Sequence, residues 1–183
     1  MRGLFRLRSA VCAGLLVGSA LAPVWSAAPS VATFPTASVD FAPAVVANFR
    51  DRYGADETEV VRSAIVTAVS RETRGLALPA GATVTVKVRD IAPTRPTRQQ
   101  QAADPAGDPT RSKFLGGADL SGEVRDSQGH VLVNLMYRYY PPTIGMGSVA
   151  FDPWADARLA IDQFAVKLAA ACRRISADAS PAT

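Results

Sequence analysis

The sequence is poor in the residue types from which catalytic and metal sites are built. Its 183 residues include one histidine, two cysteines and two tryptophans. A lone histidine cannot complete a zinc site, which needs two or three further strong ligands, and His130 lies beside a predicted turn, where an exposed side chain is expected. No nucleophile elbow G-x-S-x-G, P-loop, dinucleotide fingerprint or metalloprotease motif is present. The sequence therefore predicts no catalytic residue, no metal and no cofactor.

Long hydrophobic runs are also missing, apart from one short run near the N-terminus. Arg2, Arg6 and Arg8 precede an apolar stretch, residues 10–25, that is interrupted by glycine and proline and followed by small residues. This order is typical of a secretory signal peptide, and a membrane-spanning helix needs roughly 20 apolar residues. We expect residues 1–28 to be cleaved, which leaves a periplasmic or secreted protein that is not transmembrane. An uncleaved anchor is the alternative.

Charge of one sign is not in excess once this segment is removed. The chain has a formal net charge of +4, but residues 1–28 carry three of the twenty basic residues and none of the sixteen acidic ones, which leaves +1. Runs of Lys and Arg interleaved with aromatics are absent, so nucleic acid is not an expected partner. Cys12 leaves with the signal peptide and lies too early in the apolar run to accept a lipid, so Cys172 remains without a disulfide partner.

Two segments have the periodicity of amphipathic helices. In the first, Val61, Ile65 and Val69 recur at helical spacing. The second begins after Asp152, an expected N-cap that is followed by proline. Its apolar stripe includes Cys172, which we interpret as a small buried residue and not as a nucleophile.

Alternating polar and apolar residues predict the strands. A short strand is expected near residues 39–41, and residues 83–91 alternate strictly. Residues 118–125 and 130–140 flank the turn residues 126–129 and predict a hairpin. The order strand, helix, strand, strand, strand, helix predicts an α+β fold. We expect a two-layer sandwich in which two helices cover one face of a mainly antiparallel sheet of about four strands.

Composition predicts the domain organisation. We expect a mobile leader at residues 29–36, a single domain at residues 37–175 and a polar tail at residues 176–183. Within the domain, residues 92–117 contain four prolines and three consecutive glutamines, without an apolar period. A gap of this length predicts a long flexible loop.

The hydrophobic pattern also predicts the register of the hairpin. If Arg125 pairs with His130, then Val124 faces Val131, and one face of the hairpin is wholly apolar. A loop one residue shorter would set charged residues beside the valines, so the pattern favours an even-length loop. Small residues at Ala118 and Gly122 leave room for a covering helix. The strand residues expected in the core are Val131, Val133, Leu135, Tyr137 and Tyr139.

The opposite face of the hairpin is the candidate binding surface. It is more apolar than a solvated sheet face requires. Either residues 92–117 fold over it, or a partner binds there together with this loop. The candidate binding residues are Leu132, Asn134, Met136, Arg138 and Tyr140.

Carboxylates on the loop and sheet offer an alternative. Asp90, Asp104, Asp108 and Asp119 are candidates for paired acid and base chemistry, as in glycoside hydrolysis. A hydrolase of envelope polymers is therefore an alternative function. A third hypothesis is a carrier of a small apolar ligand between sheet and helices.

The segment GADLSGEVRDSQGHVLVNLMYRYY, with the helix and strand before it and the Ala-rich helix after it, resembles small uncharacterised envelope domains of Gram-negative bacteria, many of them lipoproteins. The likeness covers roughly residues 60–172. This chain departs from the lipoproteins because it has no lipobox cysteine. The resemblance implies an exported accessory or scaffold role and supplies no site residues. Together with the face described above, it predicts a non-catalytic domain that contacts an envelope protein or another envelope component.

Overall fold

The structure, a computed structural model, describes residues 37–76, 78–108, 114–142 and 152–178. All of these residues belong to one compact unit. The expected signal peptide and leader, and the last five residues of the expected tail, lie outside the described residues.

The described chain alternates strands and helices around one sheet. The strands follow the order β1-β2-β3-β4. β1 is parallel to β2, whereas the other two neighbouring pairs are antiparallel. The elements are β1 (Ala37–Phe41), α1 (Pro43–Asn48), a π-helical turn (Phe49–Tyr53), α2 (Glu57–Thr73), β2 (Thr83–Ala92), α3 (Arg98–Ala103), β3 (Gly117–Arg125), β4 (Val131–Tyr139) and α4 (Ala155–Asp178).

The two long helices form a layer on one face of the sheet. α2 packs on β1 and on α4, and α4 packs on β3 and β4. Their apolar stripes supply core residues such as Ile65, Phe164 and Leu168, which are fully buried. Each side chain of this size contributes roughly 1.5–3 kcal/mol when it leaves water. The expected α+β sandwich is confirmed. α4 continues to Asp178, so the first three residues of the expected polar tail are helical.

A glycine in β3 lets α4 approach the sheet. A Cβ atom placed on Gly122 would lie 2.7 Å from Phe164 Cζ and 3.3 Å from Leu168 Cδ1. The neighbouring inward residue Ala118 is fully buried. The expectation that small residues at these positions make room for a covering helix is confirmed.

A β-bulge interrupts the alternation of β2. The register with β3 shifts between Val88 and Asp90, so Arg89 and Asp90 are both exposed and Ile91 returns to the core. Strict alternation from Val88 would have turned the Asp90 carboxylate inward, and burying an unpaired carboxylate costs far more than a local break in the ladder. The bulge therefore adds an acidic residue to the outer face of the sheet.

The register of the hairpin differs from the expected one by two residues. Arg125 pairs with Val131, which leaves a five-residue loop, and Val124 pairs with Val133, which leaves Leu132 as a bulge. Each feature displaces the strand by one residue, so residues from Val133 onward keep the expected faces. The predicted cross-strand pairs and the predicted even-length loop are therefore wrong, whereas the faces are correct from Val133 onward.

The bulge exchanges the faces of two residues at the start of β4. Val131, expected in the core, is 47% exposed. Leu132, expected on the outer face, packs against the core. Because a bulged residue does not take part in the two-residue alternation, sequence periodicity alone assigns it to the wrong side.

The described part of residues 92–117 contains one short helix, which the composition did not predict. This helix is α3, whose N-terminus is closed by a capping box between Thr97 and Gln100. Thr94 is buried, and its backbone N–H donates to the Pro153 carbonyl over 2.7 Å. Its hydroxyl accepts from the backbone N–H of Asp156 at 3.0 Å. The segment is thus attached to the start of α4, at the helical side of the molecule.

The two edges of the sheet differ. At β1, the Arg62 guanidinium donates to the carbonyl of Val39 and lies 5.0 Å from the centre of the Phe41 ring. At β4, no described residue pairs with the outer edge of the strand. One edge is therefore partly closed by a side chain, and the other is open within the described part of the chain.

Candidate binding surface

The face of the sheet away from the helices is not covered by any described element. It contains a depression with a volume of about 410 Å³. The described residues of the segment 92–117 do not line this depression. The lining residues are Asp40, Thr85, Lys87, Arg89, Ser121, Gly122, Glu123, Asn134 and Met136.

The depression results from side-chain size across neighbouring strands. Ser121 has a short side chain that points to this face, so the middle of the face is low. Met136, opposite Ser121 on β4, is 63% exposed. An apolar side chain of this length, surrounded by polar groups, leaves apolar surface in water that a partner could cover.

Most charged groups of the face are paired with one another. Arg89 Nη1 lies 3.7 Å from Asp119 Oδ1 and 3.8 Å from Met136 Sδ. Arg125 Nε forms an ion pair with Glu123. Exposed pairs of this kind contribute at most about 1 kcal/mol each, so a partner can rearrange them at little cost.

Lys87 differs from the other charged residues of this face. Its side chain is exposed and forms no hydrogen bond or ion pair with another described residue. Its Cα partner Asp40 also forms no ion pair with the described residues. The ammonium group of Lys87 is therefore available to an acidic or hydrogen-bond-accepting group that enters the depression.

Beside the depression, the bulge in β2 creates a network that we call the bulge cluster: Arg89, Asp90, Asp119, Arg138 and Tyr140. The Tyr140 hydroxyl donates to Asp90 Oδ2 over 2.7 Å, and Arg138 lies 5.3 Å from the centre of the Tyr140 ring. Partial burial, with a further contribution from the hydrogen bond to Asp90, raises the pKa of Tyr140 far above its usual range. The side chains of the bulge cluster are therefore held in place mainly by contacts with one another.

The five candidate residues, four on β4 and Tyr140 directly after it, fall into three groups. Asn134 and Met136 line the depression. Arg138 and Tyr140 belong to the bulge cluster next to it. Leu132 is half-buried against the core and does not line the depression.

Sequence reasoning missed some lining residues. Asp40 lies on β1, and its position on this face depends on the parallel pairing of β1 with β2. The alternation of apolar and polar residues in ASVDF is a sequence signal that could have placed it.

The carboxylates proposed for catalysis are not gathered into one site. Asp90 and Asp119 are cross-strand neighbours, but the first accepts a hydrogen bond from Tyr140 and the second pairs with Arg89. Asp104 is the C-cap of α3, which packs on the π-helical turn. No observation in the structure favours the hydrolase hypothesis.

The other candidate reactive groups, His130 and Cys172, lie in surroundings that do not favour catalysis. Among the described residues, no three His, Cys, Asp or Glu side chains are close enough to hold a metal ion. His130 is exposed at the hairpin turn, as expected, with Nδ1 3.0 Å from Asp126 Oδ2. Cys172 is fully buried in α4, and burial raises the pKa of its thiol, which disfavours the reactive thiolate.

No protein-family model and no curated protein matches the chain. One similar solved structure is the crystal structure of a minor lipoprotein from Acinetobacter baumannii, with 13% sequence identity and a TM-score of 0.29. The similarity covers 78% of this chain and 92% of that chain. No helix in the described part of this chain is long and apolar enough to cross a membrane.

Proposed function

We propose that the protein is an exported, non-catalytic binding domain of the bacterial cell envelope. It binds an envelope protein or another envelope component through the depression on the outer face of the sheet. The observation that carries the proposal is the 63% exposure of Met136 within this depression. Covering such a side chain contributes roughly 1.5–3 kcal/mol to binding, and methionine adapts its shape to different partners.

The charges around Met136 support a specific contact over a purely hydrophobic one. Lys87 lies on the same cross-strand row and has no described ionic partner. The remaining charged groups of the face are largely paired with one another. They can therefore orient a bound partner without producing a strong net electrostatic field. We expect the bound group to present an apolar surface next to a carboxylate or another acceptor for Lys87.

Crosslinking in living cells tests this proposal. A photo-crosslinking amino acid at Met136 should yield a specific adduct with an envelope molecule other than a second copy of this chain. The matched control is the same amino acid at Val46, which lies on α1 and is 50% exposed. The adduct should appear only at Met136, and Lys87→Glu should reduce its yield without changing the thermal unfolding midpoint. Equal adducts at both positions, or none at Met136, would contradict the proposal.

A further inference from the structure

Within the described residues, the outer edge of β4 lacks most of the devices that keep edge strands from pairing. The strand is nine residues long, contains no proline and has one charged residue, Arg138. Edge strands are commonly protected by charges, prolines, bulges or a covering element, because their free N–H and C=O groups bind other strands. β4 has one bulge, at Leu132, and the rest of the strand is regular.

The helix next to this edge presents a defined stripe on the same side. The Tyr137 hydroxyl, on β4, donates to Gln163 Oε1, and Lys167 Nζ lies 5.4 Å from the centre of the Tyr137 ring. These contacts mark the side of α4 that lies over β4. By helical spacing, Asp156 and Arg174 fall on the same stripe, seven residues before Gln163 and seven after Lys167.

The charges of this stripe are complementary to those of a second copy. When two α4 helices lie antiparallel, Asp156 faces Arg174, and Gln163 faces Lys167. Both pairs are centred on Ala165, so one two-fold axis satisfies both without placing like charges together. Exposed apolar residues flank the stripe, since Leu159 is 43% and Val166 49% exposed.

We propose that the protein forms a symmetric homodimer in which β4 pairs antiparallel with β4 of a second copy, and α4 packs against α4. Near the centre of α4, the contacts of the helix are with the Leu135 and Tyr137 rows of the hairpin, which places the axis at Met136. On the inner face this register sets Leu135 opposite Tyr137, and Val133 opposite Tyr139. On the outer face it sets Asn134 opposite Arg138.

Distances in the two layers agree with this arrangement. α4 packs on both β3 and β4, so it lies over the boundary between them. The axis would lie half a strand spacing beyond β4, and strands are about 4.8 Å apart. The two α4 helices would then be roughly 10 Å apart, which is within the range of packed helices. The result is a continuous eight-stranded sheet with the two depressions on one surface, and it does not depend on the proposed function.

Cysteine crosslinking tests the register on the full chain in a Cys12→Ser background. Met136→Cys should form a disulfide-linked dimer on oxidation, because the two copies of this residue meet at the axis. Val131→Cys is the matched control, since Val131 is on the same strand and 47% exposed. Its two copies would be separated by ten residue steps, about 33 Å, far beyond disulfide reach. Equal crosslinking at both positions would overturn the register.

A charge exchange tests the helix contact without touching the depression. The wild-type chain should sediment at twice its monomer mass at micromolar concentration. Asp156→Arg should weaken the dimer about tenfold by placing two arginines together, and adding Arg174→Asp should restore it. Asp156→Asn should have a smaller effect. A wild-type chain that remains monomeric at about 100 µM, or a failure of the second change to restore the dimer, would overturn the proposal.

Discussion

At the scale of single residues, the clearest test concerns Cys172. Its side chain is fully buried, and the pKa of its thiol is raised by burial. We expect a maleimide to modify Cys172 within minutes in denaturant and at least about 100-fold more slowly in the folded chain, because reaction requires local opening of α4. Mass spectrometry of the labelled peptide separates Cys172 from Cys12. An engineered Ser127→Cys in the exposed turn should react at once in the folded state, and equally fast labelling at Cys172 would contradict its burial.

Tyr140 makes a pH-dependent contribution to stability. The folded chain holds the phenol proton more tightly than the unfolded chain does, in which tyrosine titrates near pH 10.0. The contribution is therefore complete below pH 10 and is lost as the pH rises above it. We expect the unfolding free energy to fall less steeply above pH 10 in Tyr140→Phe than in the wild type. The neighbouring Tyr139→Phe is the control, because its hydroxyl makes no hydrogen bond with the described residues.

At the scale of elements, the close contact between β3 and α4 gives a stability prediction. In Gly122→Ala the new methyl group would overlap Phe164 Cζ, 2.7 Å away. Since the Phe164 ring is fully buried and cannot swing into solvent, we expect a loss of about 1–3 kcal/mol of unfolding free energy in urea denaturation. Ser121→Ala, next along the strand on the outer face, should change it by less than about 0.5 kcal/mol. Equal values for the two variants would argue against this packing.

Local sequence patterns predict the long helices and the regular strands, but not α3 or the bulges. Helical spacing predicts α2 and α4, and alternation predicts β2, because each element buries one face. A six-residue helix such as α3 has no apolar stripe, so its signal is limited to the capping residues Thr97 and Gln100. The bulges at Arg89 and Leu132 depend on the pairing of neighbouring strands in the folded sheet. This pairing determines which face of a strand can accept a charge or an extra residue. A single strand does not contain that information.

The hairpin turn illustrates the same limit. Turn residues 126–129 predict a four-residue loop, whereas the loop has five residues and includes His130. Asp126 accepts from the backbone N–H groups of Gln128 and His130, at 2.8 and 2.9 Å. Burial opposes ionisation of the Asp126 carboxyl, but the hydrogen bonds from His130 and Gln128 outweigh it and lower its pKa. Side-chain hydrogen bonds of this kind extend a loop by one residue, and a reading of turn propensity alone does not detect them.

At the scale of the whole molecule, the sandwich follows from the order of elements, but the binding surface does not. The outer face combines residues from all four strands, and its depression depends on the parallel pairing of β1 with β2. That pairing joins residues 37–41 to residues 84–88. Sequence patterns in either segment do not identify the other as its neighbour, so Asp40 becomes part of the surface only through the fold.

Arg62 gives a prediction at this scale. Its guanidinium occupies the Val39 carbonyl at the β1 edge. In Arg62→Ala this acceptor is free to bind another strand, and we expect species larger than the dimer to appear in sedimentation velocity as the concentration rises. Arg62→Lys should give an intermediate result, because a lysine reaches the carbonyl with fewer donors. An unchanged distribution in Arg62→Ala would show that the edge is closed by other means.

The unequal edges of the sheet limit how large an assembly can grow. In the language of polymer chemistry, a unit with two reactive ends propagates a chain, whereas a unit with one reactive end terminates it. Among the described residues the sheet resembles the second kind, because Arg62 partly closes one end and β4 leaves the other open. If the proposed dimer forms, crowding of such units should therefore favour pairs over fibres.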